Sequence, residues 1–188
     1  MKSTGLLLML GVLLTVMTAC SEKKAKNQDI ITTNYEAPKP TEPKAMEPKV
    51  YSTPVKWVEG REYQVNIERA AAPSLPMVKD ANGQEYVDNT VTISVTRADN
   101  SVFFKQQFGK ASFEKWADDE YREKAILEDI TFFEIGADVL SFIASLNFPH
   151  SGDDEALELL LELDRMGNVN IAPFTYDDRE DLKQQENQ

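Results

Sequence analysis

Residues 112–124, SFEKWADDEYREK, decide how the fold is read. Phe113, Trp116, Ala117 and Tyr121, continued by Ala125, gather on one side of a helical wheel. Glu114, Lys115, Asp118, Asp119, Glu120 and Glu123 fall largely on the others, the pattern of an amphipathic helix packed on a core. Ser112 stands where an N-cap hydroxyl is wanted, just past the break at Gly109. This stretch therefore predicts one helix.

Everything around it reads as strand. Downstream, residues 127–135 and 139–148 are apolar runs separated by Gly136–Ala137–Asp138, the second ending at Pro149. Leu157, Leu159, Leu161 and Leu163 then alternate with Glu158, Glu162 and Asp164, although Leu160 interrupts the period and leucine and glutamate favour helix. Met166–Gly167–Asn168 followed by Val169 and Ile171 reads as a hairpin return. Upstream, Tyr63, Val65 and Ile67 alternate with polar residues. Val87, Val91, Ile93 and Val95 alternate with Thr90, Thr92, Ser94 and Thr96, the clearest strand in the chain. Asn82–Gly83 and Asp99–Asn100 mark turns, the latter leading into a strand over 102–108.

One helix followed by four sequential antiparallel strands is the layout of cystatin-like folds. The expected class is α+β, with an antiparallel β-sheet wrapping one amphipathic helix and preceded by additional β-strands; a β-sandwich with one helix is the alternative. Phe103–Phe104, Phe132–Phe133, Val139–Leu140, Phe142–Ile143 and Leu159–Leu160–Leu161 place large side chains on both faces of a strand. One helix covers only one face, so the earlier strands, over 63–67 and 87–95, are expected to cover the other, the alternative being an exposed binding patch.

The N-terminus reads as an address. Lys2 is followed by an uncharged apolar run over 5–17, too short to span a bilayer and about right for a signal-peptide core. The run closes on Met17–Thr18–Ala19–Cys20, which resembles a bacterial lipobox, with methionine where leucine is commoner. That resemblance implies cleavage before Cys20 and lipidation of its thiol. Ser21, in place of an aspartate, favours the outer membrane by analogy with diderm lipoproteins. Cleavage removes one lysine and no acid, taking the net charge from −12 to −13, so lipid rather than surface charge must hold the protein at an anionic membrane. Residues 21–54 carry five of the nine prolines interleaved with Lys, Glu and Thr, and read as a semi-rigid tether. The expected organisation is a signal peptide over 1–20, the tether over 21–54, a globular domain over 55–176 and a polar tail over 177–188.

The segments FGKASFEKW (108–116), ILEDITFFEI (126–135), LSFIASLNFP (140–149) and LELDRMGNVNI (161–171) together resemble a group of uncharacterised lipoproteins from Bacteroidetes-type bacteria. The resemblance rests on hydrophobic pattern and layout and carries no catalytic motif. It implies a cell-envelope protein with a cystatin-like domain.

Composition narrows the chemistry. With 32 acidic against 20 basic residues among 188, a nucleic-acid partner is excluded. A single cysteine and a single histidine leave no multi-thiolate metal site. No cofactor motif is present. His150, beside Ser151, Asp153, Asp154 and Glu155, offers the residue types of an oriented general base, yet no nucleophile motif accompanies it. Asp153, Asp154 and Glu155 are the weak calcium candidates; they lack EF-hand spacing, and acids beside Gly152 are ordinary turn chemistry. Asp118, Asp119, Glu120 and Glu123 read as a solvated helix face rather than a carboxylate pair across a cleft. Trp57 and Trp116 are the candidates for sugar stacking, with Trp116 on the apolar stripe. The expected function is a non-enzymatic, lipid-anchored envelope module that binds or supports an envelope protein or glycan; a hydrolase or lyase with a carboxylate and histidine cleft is the alternative.

Overall fold

The computed structural model describes residues 42–149 and 156–174, all within one compact unit. Among the described residues ten strands follow one another: β1 (Lys49–Trp57), β2 (Arg61–Ala71), β3 (Val78–Lys79), β4 (Glu85–Tyr86), β5 (Asn89–Arg97), β6 (Val102–Gly109), β7 (Ile126–Ile135), β8 (Val139–Asn147), β9 (Leu157–Asp164) and β10 (Val169–Pro173). They form two four-stranded sheets, ordered β1-β2-β5-β6 and β10-β9-β8-β7, and the small hairpin β3-β4. Every neighbouring pair in these sheets is antiparallel.

Period-2 alternation builds each layer. In the first sheet Val65 lies opposite Val95 and Ile67 opposite Ile93, while Thr92, Ser94 and Thr96 take the other face. In the second, Phe142 lies opposite Leu161, Leu140 opposite Leu163 and Ala144 opposite Leu159. These inward residues of both sheets join in a single hydrophobic core. Each large aliphatic side chain buried there stabilises the fold by about 1.5–3 kcal/mol. The two sheets thus cover each other, as layers of an all-β domain.

That arrangement overturns the α+β expectation of a sheet wrapped round an amphipathic helix. Residues 112–124 do not form one helix. A 3-10 turn over Lys110–Phe113 is followed, after a break, by the six-residue helix α1 (Asp119–Lys124), which buries no residue. The break lies at Asp118, whose backbone is extended (φ −74°, ψ −179°) and whose carboxylate accepts the Tyr121 N–H at 3.0 Å. Asp118, rather than Ser112, therefore caps the helix. The Ser112 hydroxyl instead accepts the Gly109 N–H at 3.3 Å. Phe113 and Ala117 reach the core as single anchors, and the first sheet fills the place expected for a helix. The cystatin-like layout does not hold.

Doubled apolar residues have two explanations. At Phe103 the β5–β6 register shifts, and this bulge brings Phe103 against Trp57 and Tyr63, whose rings are buried, while the adjacent Phe104 is also buried. A second shift surrounds Phe133, which meets Phe174 at 5.4 Å between ring centroids. Ile143 follows the inward Phe142 on the opposite face of β8 and is still buried, though apart from the main core. The second face of this sheet is thus covered in part by its own aromatic residues, whereas the earlier strands cover the first.

The tether boundary also moves. β1 starts at Lys49, inside the stretch expected as a spacer, and includes Pro54. An edge position makes this possible: β1 pairs with β2 alone, so a residue without an N–H costs no second ladder. Still earlier, Lys44 donates its N–H to Glu85 O at 2.9 Å and accepts Val87 N–H at 2.8 Å, so residues 42–48 run along the domain. Among the described residues, no helix is long and apolar enough to cross a membrane.

Candidate functional site: a cavity beside an inter-sheet clamp

Cys20, His150, Asp153, Asp154 and Glu155 lie outside the described residues. Among the described residues, no cluster of three or more His, Cys, Asp or Glu side chains is arranged to hold a metal. The acidic run of α1 is tied up locally, with Asp119 paired to Arg122 and Glu120 to Lys124, each at 2.9 Å. Trp57 is buried against Tyr63 and Phe103 and offers no stacking platform. Trp116 is half-buried against the core, with Lys115 Nζ 5.2 Å from its ring centroid.

The structure instead draws together residues that the sequence reading passed over. Asp88 and Asn89 stand where the chain enters β5, and Asn89 has the same parity as the core residues Val91, Ile93 and Val95. A polar residue at an inward position needs a partner, and this one finds it in the other sheet. Asn89 Nδ2 donates to Leu127 O at 2.9 Å, and Asp88 Oδ1 accepts the Leu127 N–H at 2.8 Å. Together the two side chains satisfy both backbone groups of one residue of β7. Nearby, Arg69 donates to Glu128 O at 2.9 Å and to Glu47 O at 3.0 Å, and lies 3.7 Å from Asp129. These contacts bind residues 42–48, β2, β5 and β7 into one corner.

Beside this corner lies a cavity of about 390 Å³. Leu75, Pro76, Met77 and Val78 form an apolar wall, and the buried Asp88, the half-buried Lys110 and the exposed Glu114, Arg122 and Glu123 complete the lining. Lys110 Nζ donates to Ala125 O at 2.7 Å. Asp88 Oδ1 also accepts the Asn89 N–H at 2.8 Å, while its other oxygen makes no hydrogen bond among the described residues. Burial pushes the Asp88 carboxyl above the usual carboxylate range, against the opposing pull of the Leu127 and Asn89 amides and of Lys110. Burial likewise lowers the Lys110 ammonium, against the attraction of Asp88 and Glu114. A cavity that holds two opposite, under-solvated charges next to an apolar wall suits recognition of a small molecule.

A smaller cavity of about 270 Å³ opens between residues 44–46 and the ends of β4, β7 and β8, with Met46, Val87, Ile126 and Phe148 among its walls. Asn147, buried there, donates to Glu128 at 3.2 Å and accepts the Phe148 N–H at 2.9 Å.

Fold and cavity together define an all-β domain of two antiparallel sheets with a polar recess at one corner. The chain belongs to the family described as Domain of unknown function (DUF4738), whose model matches residues 28–171. No curated protein matches it.

Proposed function

We propose that this chain is a lipid-anchored protein of the bacterial cell envelope, of the Bacteroidetes type, and that its domain is a non-enzymatic binding or accessory module held at the outer membrane through Cys20. The observation that carries the binding role is the way the cavity's charges are held. Asp88 is fixed by two backbone amides and Lys110 by a backbone carbonyl, which makes them preorganised contacts for a ligand. The anchor is supported by the apolar run over 5–17 and the Ala19–Cys20 junction. An envelope protein or glycan is the partner class for an accessory role.

Metabolic labelling with a radioactive or clickable palmitate tests the anchor, with co-purification of the tagged protein from native membranes testing the module. Label on the native chain, none on Cys20→Ser, and a reproducible membrane partner are expected. A Cys20→Ser chain that matures normally and stays with the membrane removes the lipoprotein reading. A hydrolase or lyase is the second reading, favoured by the three carboxylates, Asp88, Glu114 and Glu123, that line one cavity. Turnover of a glycan or peptide substrate that Asp88→Asn abolishes, without loss of the fold, is the result that establishes it.

A further inference from the structure

We propose that the cavity beside Asp88 and Lys110 binds a zwitterionic amino acid with an apolar side chain, its ammonium on Asp88 and its carboxylate on Lys110. This assignment rests on the binding-module reading and names its ligand class.

Three features of the cavity support it. The first is unused hydrogen-bonding capacity at two opposite charges. Asp88 is only 3% exposed and lines the cavity, and both backbone amides that it accepts are on Oδ1, leaving Oδ2 without a hydrogen bond among the described residues. Lys110 has committed one ammonium hydrogen to Ala125 O, and an ammonium has three.

The second is that these two opposite charges do not pair with each other. Asp88 and Lys110 attract each other, yet they make no ion pair among the described residues. Each is partly desolvated without the partner that would offset the cost. A group carrying one charge relieves one of them and adds a charge to the recess. A zwitterion relieves both and leaves the net charge unchanged.

The third is the wall. Leu75, Pro76, Met77 and Val78 present an apolar surface on the same cavity, suited to an aliphatic side chain. The volume, about 390 Å³, is that of a small-ligand site and leaves room for one amino acid.

Titration calorimetry on the mature full-length protein in detergent tests the assignment, with L-leucine, L-methionine, N-acetyl-leucine and N-acetyl-leucine amide as probes. Leucine or methionine is expected to bind at least tenfold more tightly than the doubly capped amide. Asp88→Asn should weaken leucine by tenfold or more while leaving N-acetyl-leucine, which has no ammonium, within about twofold of its wild-type affinity. Lys110→Gln should weaken both leucine and N-acetyl-leucine, and circular dichroism on each variant separates lost contacts from lost fold. Equal binding of leucine and the capped amide overturns the proposal, as does failure of both free amino acids to bind. If the free amino acids fail while the lipidated protein still retrieves a membrane partner, this ligand class falls and the module reading stands.

Discussion

Asp88 accepts the backbone N–H of Leu127 at 2.8 Å across 39 positions of sequence, placing a carboxylate of one sheet on the edge strand of the other. Asn89 completes the contact by donating to the Leu127 carbonyl. β7 is therefore held to the first sheet by side chains that imitate one rung of a β-ladder. The same aspartate lines the cavity, so fold stability and ligand recognition share a residue.

Asp88→Ala should destabilise the full chain by about 2–4 kcal/mol, because the Asn89 and Leu127 amides both lose their acceptor in a buried place. Asp88→Asn keeps an acceptor oxygen and should cost less than half as much. Urea unfolding followed by circular dichroism measures the difference; equal losses for the two variants contradict the clamp.

The same pair of variants reports on pH. Burial raises the folded-state pKa of Asp88, so over the interval from the ordinary carboxylate range to that raised value the folded protein holds more protons than the unfolded one. Stability contributed by this group is full below that interval and is lost as pH rises through it. Lys110 has the opposite displacement: its lowered folded-state pKa makes stability increase as pH rises from that value towards the ordinary lysine range. Unfolding curves taken from the ordinary carboxylate range upward should show the Asp88 decline in the native protein and a flatter profile in Asp88→Asn.

Arg69 is a second tie at this corner. Arg69→Met should cost about 2–3 kcal/mol through the lost bonds to the Glu128 and Glu47 carbonyls, and Arg69→Lys should recover only part, since one ammonium cannot reproduce the planar fork. Amide exchange resolves the cause: Arg69→Met should speed exchange at β7 without affecting the distant β9–β10 hairpin. Uniform acceleration throughout the domain contradicts a local tie.

The leucine run of β9 tests which face is the core. Leu161 is fully buried opposite Phe142, so Leu161→Ala should cost about 2–5 kcal/mol. Leu160, half-buried on the opposite face, should cost about half as much. A helical 156–164 segment would not separate the two by parity. Larger loss at Leu160 reverses the face assignment.

Limited proteolysis of the mature chain should leave a resistant fragment that begins before Lys49, since β1 is paired along its length and Lys44 bonds to Glu85 and Val87. Mass spectrometry of the fragment settles its start. A fragment beginning at Val55 shows that residues 42–54 are not held as described.

Most of the strands, most turns and the acidic character of this protein were legible in the sequence because they follow from local rules. Alternation marked β2, β5 and the inward leucines of β9, and Asn82–Gly83, Asp99–Asn100 and Met166–Gly167 marked turns whose Gly83, Asn100 and Gly167 adopt positive φ. What a strand packs against is not local. The face of 112–124 carried the periodicity of a helix, but Asp118 found a better use as the cap of a shorter one, and the second sheet had a larger apolar surface to meet than any single helix offers. β1 escaped notice because its proline and lysines describe an edge strand as readily as a spacer; only pairing with β2 distinguishes them. Asn89 could have been flagged by its core parity. Its partner could not, because Leu127 meets it only after both sheets have formed and their corner has closed, so the cavity between Asp88 and Lys110 is a product of tertiary structure alone.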